Sequence, residues 1–119
     1  ILNSVFMYLP FGITRWLHRQ KWFKWNEKWL FVGLWLIYEF GHHRWDLSWP
    51  WLCLGNAFSG MTWYVQWYEF TGTLGGTALI LSVNLLIYQG VIKAQLTTPF
   101  SLIKPLRLPV AIVLFFGLF

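Results

Sequence analysis

The chain has 119 residues, of which 57% are hydrophobic and 11% charged, with ten tryptophans and a formal net charge of +5. So little polar surface cannot cover the core of a water-soluble domain, whereas lipid tolerates outward-facing Leu, Phe and Ile. Composition therefore argues against a soluble globule and makes the bilayer the expected solvent.

Residues 1–17 are mostly apolar and read as a partial span, with kinks expected at Pro10 and Gly12. The first connection, "RWLHRQKWFKWNEK", follows, and residues 18–28 are expected to lie at the cytoplasmic interface. Trp22, Trp25 and Trp29 recur at helical spacing beside Lys21, Lys24 and Lys28. An aromatic stripe and a cationic stripe would then share one helix, which suits the headgroup layer. Interleaved Lys and Trp also occur on single-strand nucleic-acid platforms. Flanking apolar segments of membrane length favour the anionic inner leaflet instead, and no nucleic-acid partner is expected.

A second span is expected over residues 29–40, "WLFVGLWLIYEF", which "GHHRWD" halts. Residues 41–72 are too aromatic for a solvated loop, and Pro50, Gly55 and Asn56 break them too often for a spanning helix. Broken backbone at membrane depth persists only where protein or a water-filled cavity supplies its hydrogen bonds. The segment is thus expected to fold back against its own spans, with Gly55 and Asn56 taking a left-handed turn and Pro50 ending any helix before it. Further on, Thr62, Gln66, Glu69 and Thr73 fall at positions that would form one polar helical stripe.

Residues 73–93 give the clearest span, interrupted only by Asn84 and Gln89. Gly72 and Gly76 form a small-residue pair suited to close helix approach, and Asn84 is expected to hydrogen-bond between helices. Residues 94–107 read as a polar, proline-punctuated cytoplasmic connection, and residues 108–119 as the start of another span. The fold class expected is all-α integral membrane. It is a bundle of about four transmembrane helices or part-helices, with a re-entrant aromatic segment on the outer face.

Charge orients these spans. Arg15, Arg19, Lys21, Lys24 and Lys28 flank the first connection and Lys93, Lys104 and Arg107 the last, while the long middle connection carries only Arg44. The basic side is cytoplasmic by the positive-inside rule, so residues 41–72 face the periplasm. The chain begins without Met and ends inside "LPVAIVLFFGLF", and reads as part of a longer membrane protein.

One order of motifs is recognisable. Glu39 stands near the outer end of a span, followed by "SWPWLCLGNAF", then "QWYEFTGTLGGTALILSVNLL", then "KPLRLP" leading into another helix. This order resembles the membrane domain of bacterial apolipoprotein N-acyltransferases, most closely the Trp-rich versions found in Bacteroidetes. The likeness covers essentially the whole chain and is most specific from Glu39 to Asn84. It implies a multi-pass protein of the bacterial inner membrane whose full-length form moves an acyl chain from a phospholipid donor to the N-terminal diacylglyceryl-cysteine of an apolipoprotein acceptor. The implied Glu-Lys-Cys triad belongs to a nitrilase-like domain that would follow the last span, so no catalytic residue falls in this chain. The resemblance also departs in one place: many members have Gly-Tyr where this chain has Gly55-Asn56, which removes any role for a tyrosine hydroxyl there.

On this reading Glu39 and Glu69 shape the outer mouth where lipids reach the catalytic domain, and Pro50, Trp51, Gly55, Asn56, Trp67 and Gly72 form its floor, positioning lipid. The competing reading makes each glutamate a helix cap or a surface partner of Arg44. Cys53, between Leu52 and Leu54, is expected to be a packing residue, because burial raises a thiol pKa rather than activating it. His42, His43 and Asp46 are expected to form a polar interfacial turn, since adjacent ligands on regular backbone point apart. No metal or cofactor is expected. A different class of function also fits the residues: a small non-catalytic membrane subunit whose aromatic belt and glycine face bind larger membrane partners. A transporter fragment would share the broken backbone but lacks a visible inverted repeat.

Overall fold

The computed structural model describes residues 2–20, 26–44, 46, 50–97 and 103–116. They form four α-helices and two short 3-10 turns, and no strand occurs among them. The chain divides into two compact units, Ile1–Pro50 and Trp51–Phe119.

The first unit is a helical hairpin of α1 (Leu2–Arg19) and α2 (Glu27–His42). Phe11 packs on Phe31 at 4.6 Å and edge-on to Trp35 at 5.9 Å, while His18 meets Glu27 at 3.6 Å. Partners in α2 come earlier as positions in α1 come later, so the helices run antiparallel. α1 continues without a break through Pro10 and Gly12, where the sequence led us to expect kinks. Pro10 is fully buried, and its carbonyl accepts a 2.7 Å hydrogen bond from the Thr14 hydroxyl. Asn26 starts α2: its extended backbone and side-chain oxygen cap the Lys28 N–H at 3.1 Å, and Glu27 places negative charge in the first turn. Of the stripe expected over residues 18–28, Trp22, Trp25, Lys21 and Lys24 lie outside the described residues.

The second unit contains the 3-10 turn Leu54–Phe58, α3 (Tyr68–Thr97) and α4 (Ile103–Phe116). Pro50–Leu52 forms the other 3-10 turn, on the boundary of the two units. The Leu54–Phe58 turn and α4 both pack on α3. Tyr64, Trp67 and Leu79 are the buried centre, surrounded by Phe58, Val65, Tyr68, Val83, Ile112 and Phe116. α4 starts at Ile103, so its first turns occupy residues read from the sequence as connection. The Tyr64 hydroxyl donates to the Val113 carbonyl at 2.9 Å. That carbonyl is one of the last four of α4, which have no partner within the helix.

Only one helix among the described residues is long and apolar enough to cross a membrane, running from Tyr68 to Ile92 over 25 residues. At about 1.5 Å per residue, the 16 residues of α2 and the 14 of α4 fall short of the ~30 Å hydrocarbon layer. The expected bundle of about four transmembrane helices or part-helices is thus found as four helices, one of which has spanning length.

Two local expectations are also corrected. Residues 61–67 form turns, with α3 beginning at Tyr68, so Thr62 and Gln66 do not share a helical stripe with Glu69 and Thr73. Gly55 and Asn56 lie in a right-handed 3-10 turn, and the left-handed glycine is Gly72, at φ 62° and ψ −169°. This region is open almost exclusively to glycine, because a Cβ would crowd the neighbouring peptide. It separates a first turn, which carries Glu69 and Phe70, from the rest of α3.

Candidate functional site

The residues singled out in the sequence converge most closely around α3 of the second unit. Gly55 is buried there with both backbone polar groups engaged by α3 side chains. Its N–H donates to the Thr77 hydroxyl at 2.9 Å, and its carbonyl accepts from the Tyr68 hydroxyl at 2.7 Å. Thr77 is 0% exposed, and its oxygen also lies 3.4 Å from the Cys53 sulfur. Cys53 is thus a buried residue of this clasp.

The approach needs glycine on both sides. A Cβ on Gly55 would run into the Thr73 carbonyl oxygen and stand 2.8 Å from the carbonyl carbon. A Cβ on Gly76 would meet the Tyr68 hydroxyl and stand 2.9 Å from the Gly55 Cα. The small-residue contact is therefore Gly55 against Gly76; of the pair singled out by spacing, Gly76 makes the close approach, while nothing lies within 4 Å of a Cβ on Gly72. Gly75 does the same for the preceding turn, since a Cβ there would stand 2.7 Å from the Trp67 ring.

Above this clasp, where α3 starts and α4 ends, an open cleft of about 390 Å³ is lined by Gln66, Trp67, Glu69, Phe70, Phe115 and Phe116. Trp67 and Phe116 meet at 4.8 Å and Phe115 and Phe116 at 5.8 Å, so most of the wall is aromatic ring. Trp67 is buried, and its Nε1 has no acceptor. Glu69 lies on the exposed rim in the first turn of α3, where a carboxylate is favoured by the helix dipole. Phe70 is 89% exposed beside it.

Trp67 and Glu69 thus share the cleft, while Gly55 and Asn56 lie in the turn packed on the same helix and Gly72 breaks that helix just after the cleft residues. Trp51 is 70% exposed. Asn84 is on an exposed face of α3, and among the described residues no hydrogen bond joins it to another helix. Pro50 opens its 3-10 turn.

Glu39 belongs to the first unit. It is 3% exposed and accepts a 2.9 Å hydrogen bond from the Trp35 indole one helical turn away. This differs from both sequence readings in which it capped a helix or met Arg44 at the surface; the Arg44 guanidinium instead lies 4.2 Å above the Phe40 ring. His42 is buried and stacked on Tyr38 at 5.6 Å, and His43 forms the C-cap of α2. Among the described residues no group of three or more His, Cys, Asp or Glu could hold a metal ion.

Sequence reasoning missed Tyr64, Tyr68 and Thr77. Thr77 carried a signal, as a hydroxyl directly after two glycines within a mostly apolar span. The tyrosines were hidden among many aromatic neighbours.

The family model for the apolipoprotein N-acyltransferase N-terminal domain matches residues 1–86. No curated protein and no solved structure matches the chain.

Proposed function

Because the chain belongs to the apolipoprotein N-acyltransferase N-terminal domain family, we propose that it is the membrane portion of such an enzyme, anchoring it in the bacterial inner membrane and shaping lipid access to the catalytic domain. The match over residues 1–86, which takes in the Gly55 clasp and the start of α3, carries the proposal. The full-length enzyme would transfer an acyl chain from a phospholipid to the N-terminal diacylglyceryl-cysteine of lipoproteins.

The bare surface of α3 supports the membrane assignment. Only 17% of its apolar window is buried within the chain, whereas the central helix of a soluble protein is mostly covered. Lipid or further helices of the same bundle would cover the rest. The excess of Lys and Arg around the first and last connections orients residues 41–72 toward the periplasm.

Within this reading the site residues divide by what they touch. Trp67, Glu69 and the exposed Trp51 would meet lipid directly. Pro50, Gly55, Asn56, Gly72 and Gly76 would hold the aromatic floor in shape. Glu39 would act indirectly, fixing the end of α2 through Trp35. All are positioning roles, since chemistry would belong to the downstream domain.

The test is an acyl-transfer assay on the full-length protein carrying this chain, with phospholipid and a diacylglyceryl lipopeptide. Mass spectrometry should register one added acyl chain on the lipopeptide amino group. A folded, membrane-inserted protein that gives no such product would overturn the proposal.

A further inference from the structure

The cleft beside Glu69 has a chemistry more specific than that of a greasy groove. It is lined by the rings of Trp67, Phe70, Phe115 and Phe116 and by Gln66, and its charge is a single carboxylate. Among the described residues no basic side chain lies within salt-bridge distance of Glu69. An anion is repelled by this lining, and a purely apolar ligand would strip water from the carboxylate without compensation. One carboxylate among rings is also too few hard ligands for a divalent cation. An organic ammonium satisfies both parts, pairing with the carboxylate while its C–H and N–H edges lie on the negative faces of the rings.

Size and surroundings define the rest of the ligand. A volume of about 390 Å³ suits a headgroup and the nearest stretch of chain, rather than two whole acyl tails. The exposed Phe70 and the uncovered apolar flank of α3 continue the cleft into a surface that hydrocarbon can follow.

Building on the acyltransferase reading, we propose that the cleft between the start of α3 and the end of α4 captures the primary ammonium of an amphiphile, with Glu69 as its counter-ion and Trp67, Phe70, Phe115 and Phe116 as its aromatic cage. Two sources offer this chemistry, an amine-bearing phospholipid headgroup and the free amino terminus of a lipidated peptide.

The experiment uses the full-length protein in phosphatidylglycerol nanodiscs. The probes are diazirine-tailed phosphatidylethanolamine and a diazirine-tailed diacylglyceryl lipopeptide, each with its N-acetylated form, and crosslinks are mapped by mass spectrometry. A free amine should raise labelling of the Phe70, Phe115 and Phe116 peptides about fivefold over the acetylated probe, in keeping with a partly exposed ion pair plus a cation–π contact. Glu69→Gln should abolish that difference and Glu69→Asp should keep part of it. Amine dependence in the phospholipid arm identifies a headgroup site, and in the lipopeptide arm an acceptor site. Equal labelling by free and acetylated probes in both arms, or a Glu69→Gln protein that still prefers the amine, overturns the proposal. N-acylation measured on the same samples keeps the two readings apart, because amine-dependent labelling without any acyl transfer would sink the enzyme assignment and leave the ammonium site standing.

Discussion

The backbone N–H of Gly55 donates to the hydroxyl of Thr77, 22 residues later, at 2.9 Å. With the Tyr68 hydroxyl on the Gly55 carbonyl, both polar groups of this buried glycine are satisfied by side chains of α3 rather than by water. A segment that repeatedly breaks regular backbone can be packed against an apolar helix only on such terms.

Thr77→Val keeps the shape but removes the acceptor, leaving a buried N–H unpaired. It should destabilise the chain by about 1–3 kcal/mol, and Thr77→Ser should recover most of the loss. Thermal unfolding in detergent micelles checks this. If Val at 77 unfolds at the wild-type temperature, the Gly55 N–H has another acceptor.

Two glycines should fail for different reasons. Gly55→Ala drives a methyl into the Thr73 backbone, a steric conflict that only separation of the 3-10 turn from α3 can relieve. Gly72→Ala meets nothing within 4 Å, so its cost is conformational, about 1–3 kcal/mol for a non-glycine residue in that region. Cysteines placed on the exposed side of the 3-10 turn should become more reactive in the Gly55→Ala background and stay unchanged in Gly72→Ala. The same reactivity in both would show that the turn is held elsewhere.

Burial pushes the Tyr64 phenol above its ordinary value of 10.0. The folded chain therefore keeps this proton to higher pH than the unfolded chain does. The stability it contributes is complete below about pH 10 and is lost as pH rises through the folded value. Tyr64→Phe should cost about 1 kcal/mol at neutral pH through the lost bond to Val113, yet flatten the alkaline fall in melting temperature. Parallel alkaline slopes for the two proteins would rule out Tyr64 as their source.

Trp51 is mostly exposed, so replacing it with Ala should leave expression and melting nearly unchanged. In the full-length protein the same replacement should slow N-acylation of a lipopeptide, because the indole would anchor lipid at the interface. An unaltered rate would remove Trp51 from the lipid-positioning set.

Part of the geometry could be read before the fold was known. Trp67 and Glu69 do share one cleft, and Gly55 and Gly72 are both positions where glycine is required. Their roles were exchanged in the sequence reading. Spacing alone cannot tell a glycine needed for close approach from one needed for its dihedral angles, since either leaves the same letter in the chain. Thr62 and Gln66 were misplaced for a related reason. Helical periodicity was continued upstream of Tyr68 through residues that form turns, where tertiary packing of Tyr64 and Trp67 overrides local pattern.

The sequence by itself determined the helical class, a long apolar run, read over residues 73–93 and found from Tyr68 to Ile92, and the family, because composition and motif order survive any arrangement of the helices. Only the tertiary structure decided that Gly55 faces Gly76 and that Phe115 and Phe116 complete a wall around Glu69. Each of these is a contact between side chains or backbones set by how helices pack. Such contacts depend on distances through space, which a one-dimensional order of residues does not contain.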